Sequence, residues 1–216
     1  MNNKEFVISE IQAAFINNEY PGDNFLQGSF EGSEPFEEIE PFMGQEDWMK
    51  TPSQILDNHG GALNFFSEAG FRYFLPAYLV ADIKNELMYA DPLFHLIHGF
   101  SERSVEDVIG TRAFVRKIGK NAFVNPRRYG GMTFYDYARY RLSIFTREEA
   151  RAIVAYLKYK MDRDPEDLNN EEIIAALNSF WLERTEKAPS GENMEAYLQA
   201  EEDYISAISS QSDESG

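Results

Sequence analysis

The sequence predicts a mainly helical, single-domain, bundle-like fold with long irregular connections, and three observations predict it. Apolar residues recur at helical spacing in several segments, helix-capping residues stand directly before these segments, and only one short stretch suggests a β-hairpin. The chain has 216 residues, of which 43% are hydrophobic and 14% aromatic, so it can bury one full core. We therefore expect one helical domain over residues 1–188, an additional helix over 189–208 and a disordered tail over 209–216.

The N-terminal part predicts one helix followed by an irregular connection. Residues 4–18 place Ile11, Ala14 and Phe15 on one face of a helix. Residues 19–50 are acidic and rich in proline and glycine, which favours an ordered but irregular connection. We expect four aromatic side chains to attach it to the body of the protein: Phe25, Phe30, Phe36 and Phe42.

The most apolar stretch, "FRYFLPAYLVADI" at residues 71–83, predicts a central helix. Ser67 is a good N-cap, and the apolar residues that follow cover nearly the whole circumference of a helix. The charges at Arg72 and Asp82 leave too few apolar residues between them to span a membrane. Pro76 cannot donate a hydrogen bond to the carbonyl of residue 72, so we expect a kink or a break there.

Further capping residues predict helices along the rest of the chain. Asp91 followed by Pro92 starts a short helix, and Thr146 with Glu149 forms a capping box before a strongly amphipathic segment. Asn169 with Glu172 repeats this pattern.

The segment between residues 101 and 129 has the weakest pattern. Ser104 predicts the start of a helix that ends near Gly110, and residues 112–124 predict a small hairpin that turns around Gly119 to Asn121.

Composition excludes several classes of function. The chain has no cysteine, which excludes disulfides, thiol nucleophiles and thiolate metal sites, and it has no Gly-rich phosphate loop, His-Glu-x-x-His or Gly-x-Ser-x-Gly motif. The N-terminus lacks the pattern of a secretory signal. We therefore expect a cytoplasmic protein without a cofactor or a membrane anchor.

The net charge of −17 is unevenly distributed, with −12 in residues 1–100, +7 in 101–161 and −12 in 162–216. The basic aromatic segment, residues 101–141, offers candidate binding residues for a phosphate or a nucleotide: Arg127, Arg128, Tyr129, Arg139 and Arg141. The alternative, which the acidic flanks favour, is that these arginines neutralise neighbouring acidic segments and cover aromatic rings. The overall acidity disfavours nucleic acid as a partner.

Four residues are candidates for chemistry. His95 and His98 are three residues apart on one predicted helix and could share a metal ion, although the same helix is largely apolar. Asp82 falls on an apolar face of the central helix, so its carboxylate needs a partner or a raised pKa. Arg72, Tyr73 and the basic block, residues 101–161, are the candidate partners. A structural ion pair and a general acid–base role both remain open for Asp82 and Arg72.

The segment "ALNFFSEAGFRYFLPAYLVADI" resembles a bacterial family of helical proteins, the domain of unknown function numbered 6714. The resemblance also includes Trp48 and the "FTREEARAIVAYL" segment, and it covers roughly residues 5–160. It implies a bacterial helical protein, and the family has no known activity that could be transferred. The basic segment 101–141 and the last helix depart from the family pattern, so a function particular to this chain could lie in them.

The absence of catalytic motifs, the acidity and the surplus of aromatic residues favour a non-enzymatic protein that binds another, basic protein, as an immunity-type or accessory factor. A small metal-dependent or acid–base enzyme built around Asp82, Arg72, His95 and His98 is the first alternative. Phosphate or nucleotide binding through Arg127, Arg128 and Tyr129 is the second. The sequence does not predict an oligomeric state.

Overall fold

Helix α5 (Glu68–Lys84) lies at the centre of the computed structural model, which describes residues 3–109, 112–118, 120, 123–124, 132–188, 199 and 203. Of its 17 residues, 13 are buried, so other elements surround it on nearly every side, as the sequence predicts. The hydroxyl oxygen of Ser67 accepts a hydrogen bond from the backbone N–H of Gly70 at 2.9 Å, which confirms the predicted N-cap. The mainly helical fold class is therefore confirmed.

Pro76 lies inside α5 without breaking it. The helix continues for eight residues beyond the proline, so of the predicted kink or break the break is wrong and the kink stays a prediction. Pro76 leaves the carbonyl of Arg72 without its helical donor, and the side-chain amide of Asn18 donates to this carbonyl instead, at 3.4 Å. A donor from another segment thus stabilises the interrupted turn.

Two further helices pack with α5 to form the core. Helix α1 (Lys4–Phe15) buries Val7, Ile11 and Phe15 completely, and it contacts both α5 and helix α8 (Arg147–Arg163). The capping box at the start of α8 is present, because the Thr146 hydroxyl accepts from the Glu149 N–H and the Glu149 carboxylate accepts from the Thr146 N–H. The predicted apolar stripe of α8 is buried against these partners.

The acidic connection, residues 19–50, is more regular than predicted. It contains helix α2 (Glu34–Ile39) and short 3-10 turns at Asp23–Phe25, Glu40–Phe42 and Trp48–Lys50. Phe42 is completely buried, as expected, whereas Phe30 and Phe36 are exposed. The connection is attached instead through three other buried side chains, those of Leu26, Ile39 and Trp48, which lie on the core-facing side of it.

Short helices flank α5 in the chain. Helix α3 (Ser53–Asn58) and helix α4 (Ala62–Phe65) precede it, and helix α6 (Pro92–Ile97) follows it. The carboxylate of Asp91 accepts from the Phe94 N–H at 3.1 Å, which confirms the predicted cap of α6.

A β-hairpin forms, but earlier in the chain than predicted. Strand β1 (Arg103–Ile109) pairs antiparallel with β2 (Arg112–Ile118), and a short pair, β3 (Phe123–Val124) with β4 (Met132–Thr133), follows. The predicted helix from Ser104 is therefore wrong, and the described hairpin ends in the pair of Ile109 with Arg112, ahead of the turn predicted around Gly119 to Asn121. Valine and isoleucine are frequent in both long strands, and β-branched residues favour strands over helices.

The C-terminal elements complete the core. Helix α7 (Phe134–Leu142), which the sequence analysis did not predict, precedes α8, and helix α9 (Asn170–Ala176) continues through a π-helical turn (Leu177–Trp181) into helix α10 (Leu182–Lys187). The side chain of Asn169 makes no capping hydrogen bond, contrary to expectation. The predicted helix over 189–208 and tail over 209–216 lie outside the described residues, apart from positions 199 and 203. Within the described ranges, no helix has both the length and the apolarity needed to cross a bilayer.

Candidate functional site

Asp82 is held in an ion pair between α5 and α8. The hydroxyl of Tyr156 donates to Asp82 Oδ2 at 2.7 Å, and Lys160 Nζ lies 2.9 Å from the same oxygen and 3.1 Å from Oδ1. Burial and the nearby charge of Asp82 raise the pKa of Tyr156 well above its usual range, so this hydroxyl stays a neutral donor. Lys160 belongs to the basic block that the sequence offered as a source of partners. This contact set supports the structural explanation for Asp82.

Arg72 lies elsewhere on α5 and has a different partner. Its Nε lies 3.1 Å from both carboxylate oxygens of Glu149, and its Nη2 lies 2.9 Å from Oε1. The Glu149 side chain is 1% exposed and that of Arg72 is 18% exposed, so the pair is largely removed from water. Ten residues separate Arg72 from Asp82, which is about 15 Å along a helix axis. The structure therefore does not bring these two candidates together.

A cleft of about 500 Å³ opens beside the pair of Arg72 and Glu149. Helix α1 and the residues just after it form one wall, and the first turn of α8 forms the other. Ten residues line the cleft: Glu10, Ala13, Ala14, Asn17, Asn18, Arg72, Thr146, Glu148, Glu149 and Arg151. Charged and amide side chains dominate this lining, which is suited to a polar ligand.

His95 in α6 and His98 directly after it lie among aromatic rings. The His98 ring stacks on Phe94 with centroids 4.5 Å apart, and the His95 ring lies 6.3 Å from that of Phe71. Burial, together with the charges of Arg141 and His98, lowers the pKa of His95 to about 3, so His95 is neutral at physiological pH. Across the described ranges, no three His, Cys, Asp or Glu side chains form a group that could hold a metal ion.

Arg139 and Arg141 of the basic segment are directed into the protein. Arg139 Nη1 donates to the hydroxyl of Tyr135 and to the carbonyl of Ser179, each at 3.1 Å. The guanidinium of Arg141 lies 4.4 Å from the centre of the Phe71 ring and donates to the carbonyl of Leu63. These contacts agree with the interpretation that the arginines cover aromatic rings. Arg127, Arg128 and Tyr129 lie outside the described residues.

The connection between α5 and α6, residues 85–91, forms a rigid loop, which we call the apical loop. Asn85 adopts a left-handed conformation with φ 61°, and its N–H and that of Glu86 donate to the carbonyls of Asp82 and Ala81, each at 2.9 Å. This is the Schellman motif that ends many helices. The cap formed by Asp91 fixes the other end of the loop.

Asp57 of α3 fixes the middle of the apical loop. Its Oδ1 accepts hydrogen bonds from three consecutive backbone N–H groups, those of Met88 at 2.7 Å, Tyr89 at 2.7 Å and Ala90 at 3.1 Å. Desolvation raises the pKa of Asp57, but these three hydrogen bonds outweigh it, and the net pKa is lowered. The carboxylate is therefore ionised, and it accepts strongly, at physiological pH.

The fixed backbone directs two large side chains away from the protein. Met88 is 79% exposed and Tyr89 is 78% exposed, whereas Leu87 and Ala90 pack against the core. These residues were not among the candidates predicted from the sequence. The signal was present in "NELMYADP", where apolar residues stand between a helix stop and a helix cap, but the role of Asp57 depends on a contact across more than thirty positions.

Comparisons with family models, with curated proteins and with solved structures each returned no match. The resemblance to the bacterial family of unknown function therefore stays a prediction.

Proposed function

We propose that the chain is a bacterial, cytoplasmic protein-binding factor, of the immunity or accessory type, that binds a basic partner protein through its apical loop. The observation that carries this proposal is the single carboxylate oxygen of Asp57, which holds three consecutive amides and so keeps Met88 and Tyr89 exposed. No enzymatic step enters the proposal.

Rigidity supports binding through this loop. Met88 and Tyr89 are neighbours in the chain and both exposed, and tyrosine and methionine are enriched at protein interfaces. Binding to a flexible loop costs free energy because the loop must be ordered first. In the apical loop the backbone is already fixed at both ends and in the middle, so most of this ordering cost is absent before the partner arrives.

Charge supports a basic partner. The exposed carboxylates of Glu86 and Asp91 flank the two apolar side chains, and the chain carries a net charge of −17. An acidic surface attracts a basic protein over distances of about the Debye length and raises the rate of association, and this effect decreases with added salt. We therefore infer a partner with an apolar pocket surrounded by lysine and arginine.

The alternative, a small metal-dependent or acid–base enzyme, has less support, because its candidate residues have other partners. Arg72 and Asp82 belong to separate ion pairs, and His95 is neutral and surrounded by aromatic rings. The alternative of phosphate binding depends on Arg127, Arg128 and Tyr129, which lie outside the described residues.

The test compares the wild type with Met88→Ser/Tyr89→Ser as bait for proteins of the source cell, and then measures the affinity of each purified candidate partner. The matched control is Leu168→Ser, because Leu168 is also an almost fully exposed apolar side chain but lies after α8. We expect a basic partner that binds the wild type and the control equally, binds the double variant at least tenfold more weakly, and binds less tightly in high salt.

A second variant tests whether rigidity matters. Asp57→Ala keeps Met88 and Tyr89 but removes the acceptor of their backbone amides, so we expect weaker binding with a slower association rate. A partner that binds the double variant as tightly as the wild type, or one whose surface is acidic, contradicts the proposal.

A further inference from the structure

We propose that the cleft between α1, α5 and α8 binds a small zwitterion that carries one carboxylate and one ammonium group, as a free amino acid does. This site lies apart from the apical loop and is independent of the protein-binding function. The proposal follows from the donors, the acceptors and the balance of charges around the cleft.

Arg72 provides a fixed donor for the carboxylate. Glu149 uses the Nε and Nη2 side of the guanidinium, and within the described part of the chain Nη1 has no hydrogen-bond partner. The Glu149 carboxylate is itself fixed, because it also accepts from the Thr146 N–H at 2.7 Å. The free edge of Arg72 is thus held in place before a ligand arrives, and guanidinium groups match the planar geometry of a carboxylate.

The α1 side of the cleft and the exposed edge of α8 provide acceptors for the ammonium group. The carboxylates of Glu10 and Glu148 are exposed, and they line the same cleft as Arg72. Glu148 Oε1 lies 3.9 Å from Arg151 Nη1, so among the described residues Glu10 is the carboxylate of this pair that has no ion-pair partner. The side-chain amide of Asn17 has no hydrogen-bond partner among the described residues, so it can donate or accept. Ala13 and Ala14 leave space between these groups because their side chains are small.

The positions of the charges favour a zwitterion over a simple ion. Two arginines and three glutamates line the cleft, and they form two ion pairs, Arg72 with Glu149 and Arg151 with Glu148, the second at 3.9 Å. A phosphate or another multivalent anion meets the carboxylates of Glu10 and Glu148, and a simple cation leaves the Nη1 edge of Arg72 without an acceptor. A ligand with both charges pairs with each group and adds no net charge to the cleft.

The experiment screens the twenty common L-amino acids by ligand-detected NMR against the full-length protein, with acetate and ethylammonium as probes that carry only one charge. We expect at least one amino acid to bind with a Kd of about 1 mM or tighter, and both single-charge probes to bind at least tenfold more weakly.

Rim variants locate the site without disturbing the fold. Ala13→Leu places a larger side chain on the exposed surface of α1 inside the cleft and should abolish binding. Glu10→Gln should weaken binding about threefold to tenfold, whereas Glu5→Gln, on the same helix but outside the cleft, should leave it unchanged. Arg72 itself is not replaced, because its removal leaves the buried Glu149 without a counter-charge.

Three outcomes overturn the proposal: that no amino acid binds, that acetate or ethylammonium binds as tightly as the best amino acid, or that Ala13→Leu binds as the wild type does. None of these outcomes changes the behaviour expected of Met88 and Tyr89, so the two proposals fail or succeed separately.

Discussion

Replacing Tyr156 with phenylalanine removes only the hydroxyl that donates to Asp82 at 2.7 Å and leaves the buried ring in place. A hydrogen bond to a charged acceptor stabilises a protein by about 1.5–3 kcal/mol. The side chain of Asp82 is 19% exposed and keeps its ion pair with Lys160, so water and the lysine compensate in part. We therefore expect the free energy of unfolding to decrease by about 1.5–2 kcal/mol, near the lower end of that range.

Urea unfolding measures this decrease directly, and a thermal scan should show a melting temperature lower by about 3–8 °C for a chain of this size. The matched control is Tyr159→Phe, because Tyr159 is partly buried on the same helix and its hydroxyl has no hydrogen-bond partner within the described ranges. A loss below about 0.5 kcal/mol, or a loss equal to that of the control, refutes the assignment of Asp82 and Tyr156 as a stabilising link between α5 and α8.

Two further predictions concern pH and packing. The pKa of His95 is about 3 in the folded protein and near 6.5 in the unfolded protein, so the unfolded state takes up a proton at higher pH. The contribution of His95 to the free energy of unfolding should therefore be complete above pH 6.5 and should decrease as the pH falls towards 3, by at most about 1.4 kcal/mol per pH unit. Urea unfolding at several pH values measures this dependence, and His95→Gln should flatten it. Gly99 has φ +94°, and a Cβ there would lie 2.7 Å from the Phe134 carbonyl oxygen, so Gly99→Ala should cost at least about 2 kcal/mol of unfolding free energy. Gly32→Ala, at φ +80° with open space around it, is the control and should cost only about 1 kcal/mol in the same denaturation assay.

Local patterns predicted the helices well, since their signals lie within a few residues. The capping box at Thr146 and the burial of α5 on nearly every side could be predicted, because caps and apolar periodicity are set by residues within one or two helical turns. Helix α7 was missed because its aromatic and arginine residues form no clear apolar stripe. Arg139 and Arg141 are partly buried through contacts with the carbonyl of Ser179 and the ring of Phe71, which lie in distant segments.

The candidate sites were less predictable, because they depend on contacts between distant segments. The sequence identified Asp82 and Arg72 as residues that need partners, and it placed Glu149 in a capping box. It could not indicate that this same glutamate also binds Arg72, which lies 77 positions earlier in the chain. The predicted position of the hairpin was too far towards the C-terminus. Glycine and asparagine mark many turns equally well, and only the pairing of the strands selects one of them.

The hydrogen bond from Asn18 to the carbonyl of Arg72 makes two distant positions depend on one another. The Asn18 amide stabilises the Arg72 carbonyl only while position 76 is a proline, because any other residue there supplies its own backbone N–H. In turn, Pro76 costs less stability while Asn18 is present. Replacing Asn18 is therefore harmful while position 76 is a proline and neutral once it is not, so the effects of the two substitutions are not additive. Attempts to straighten or simplify the central helix should begin with Pro76, since replacing it first restores the missing backbone donor and frees Asn18 to change.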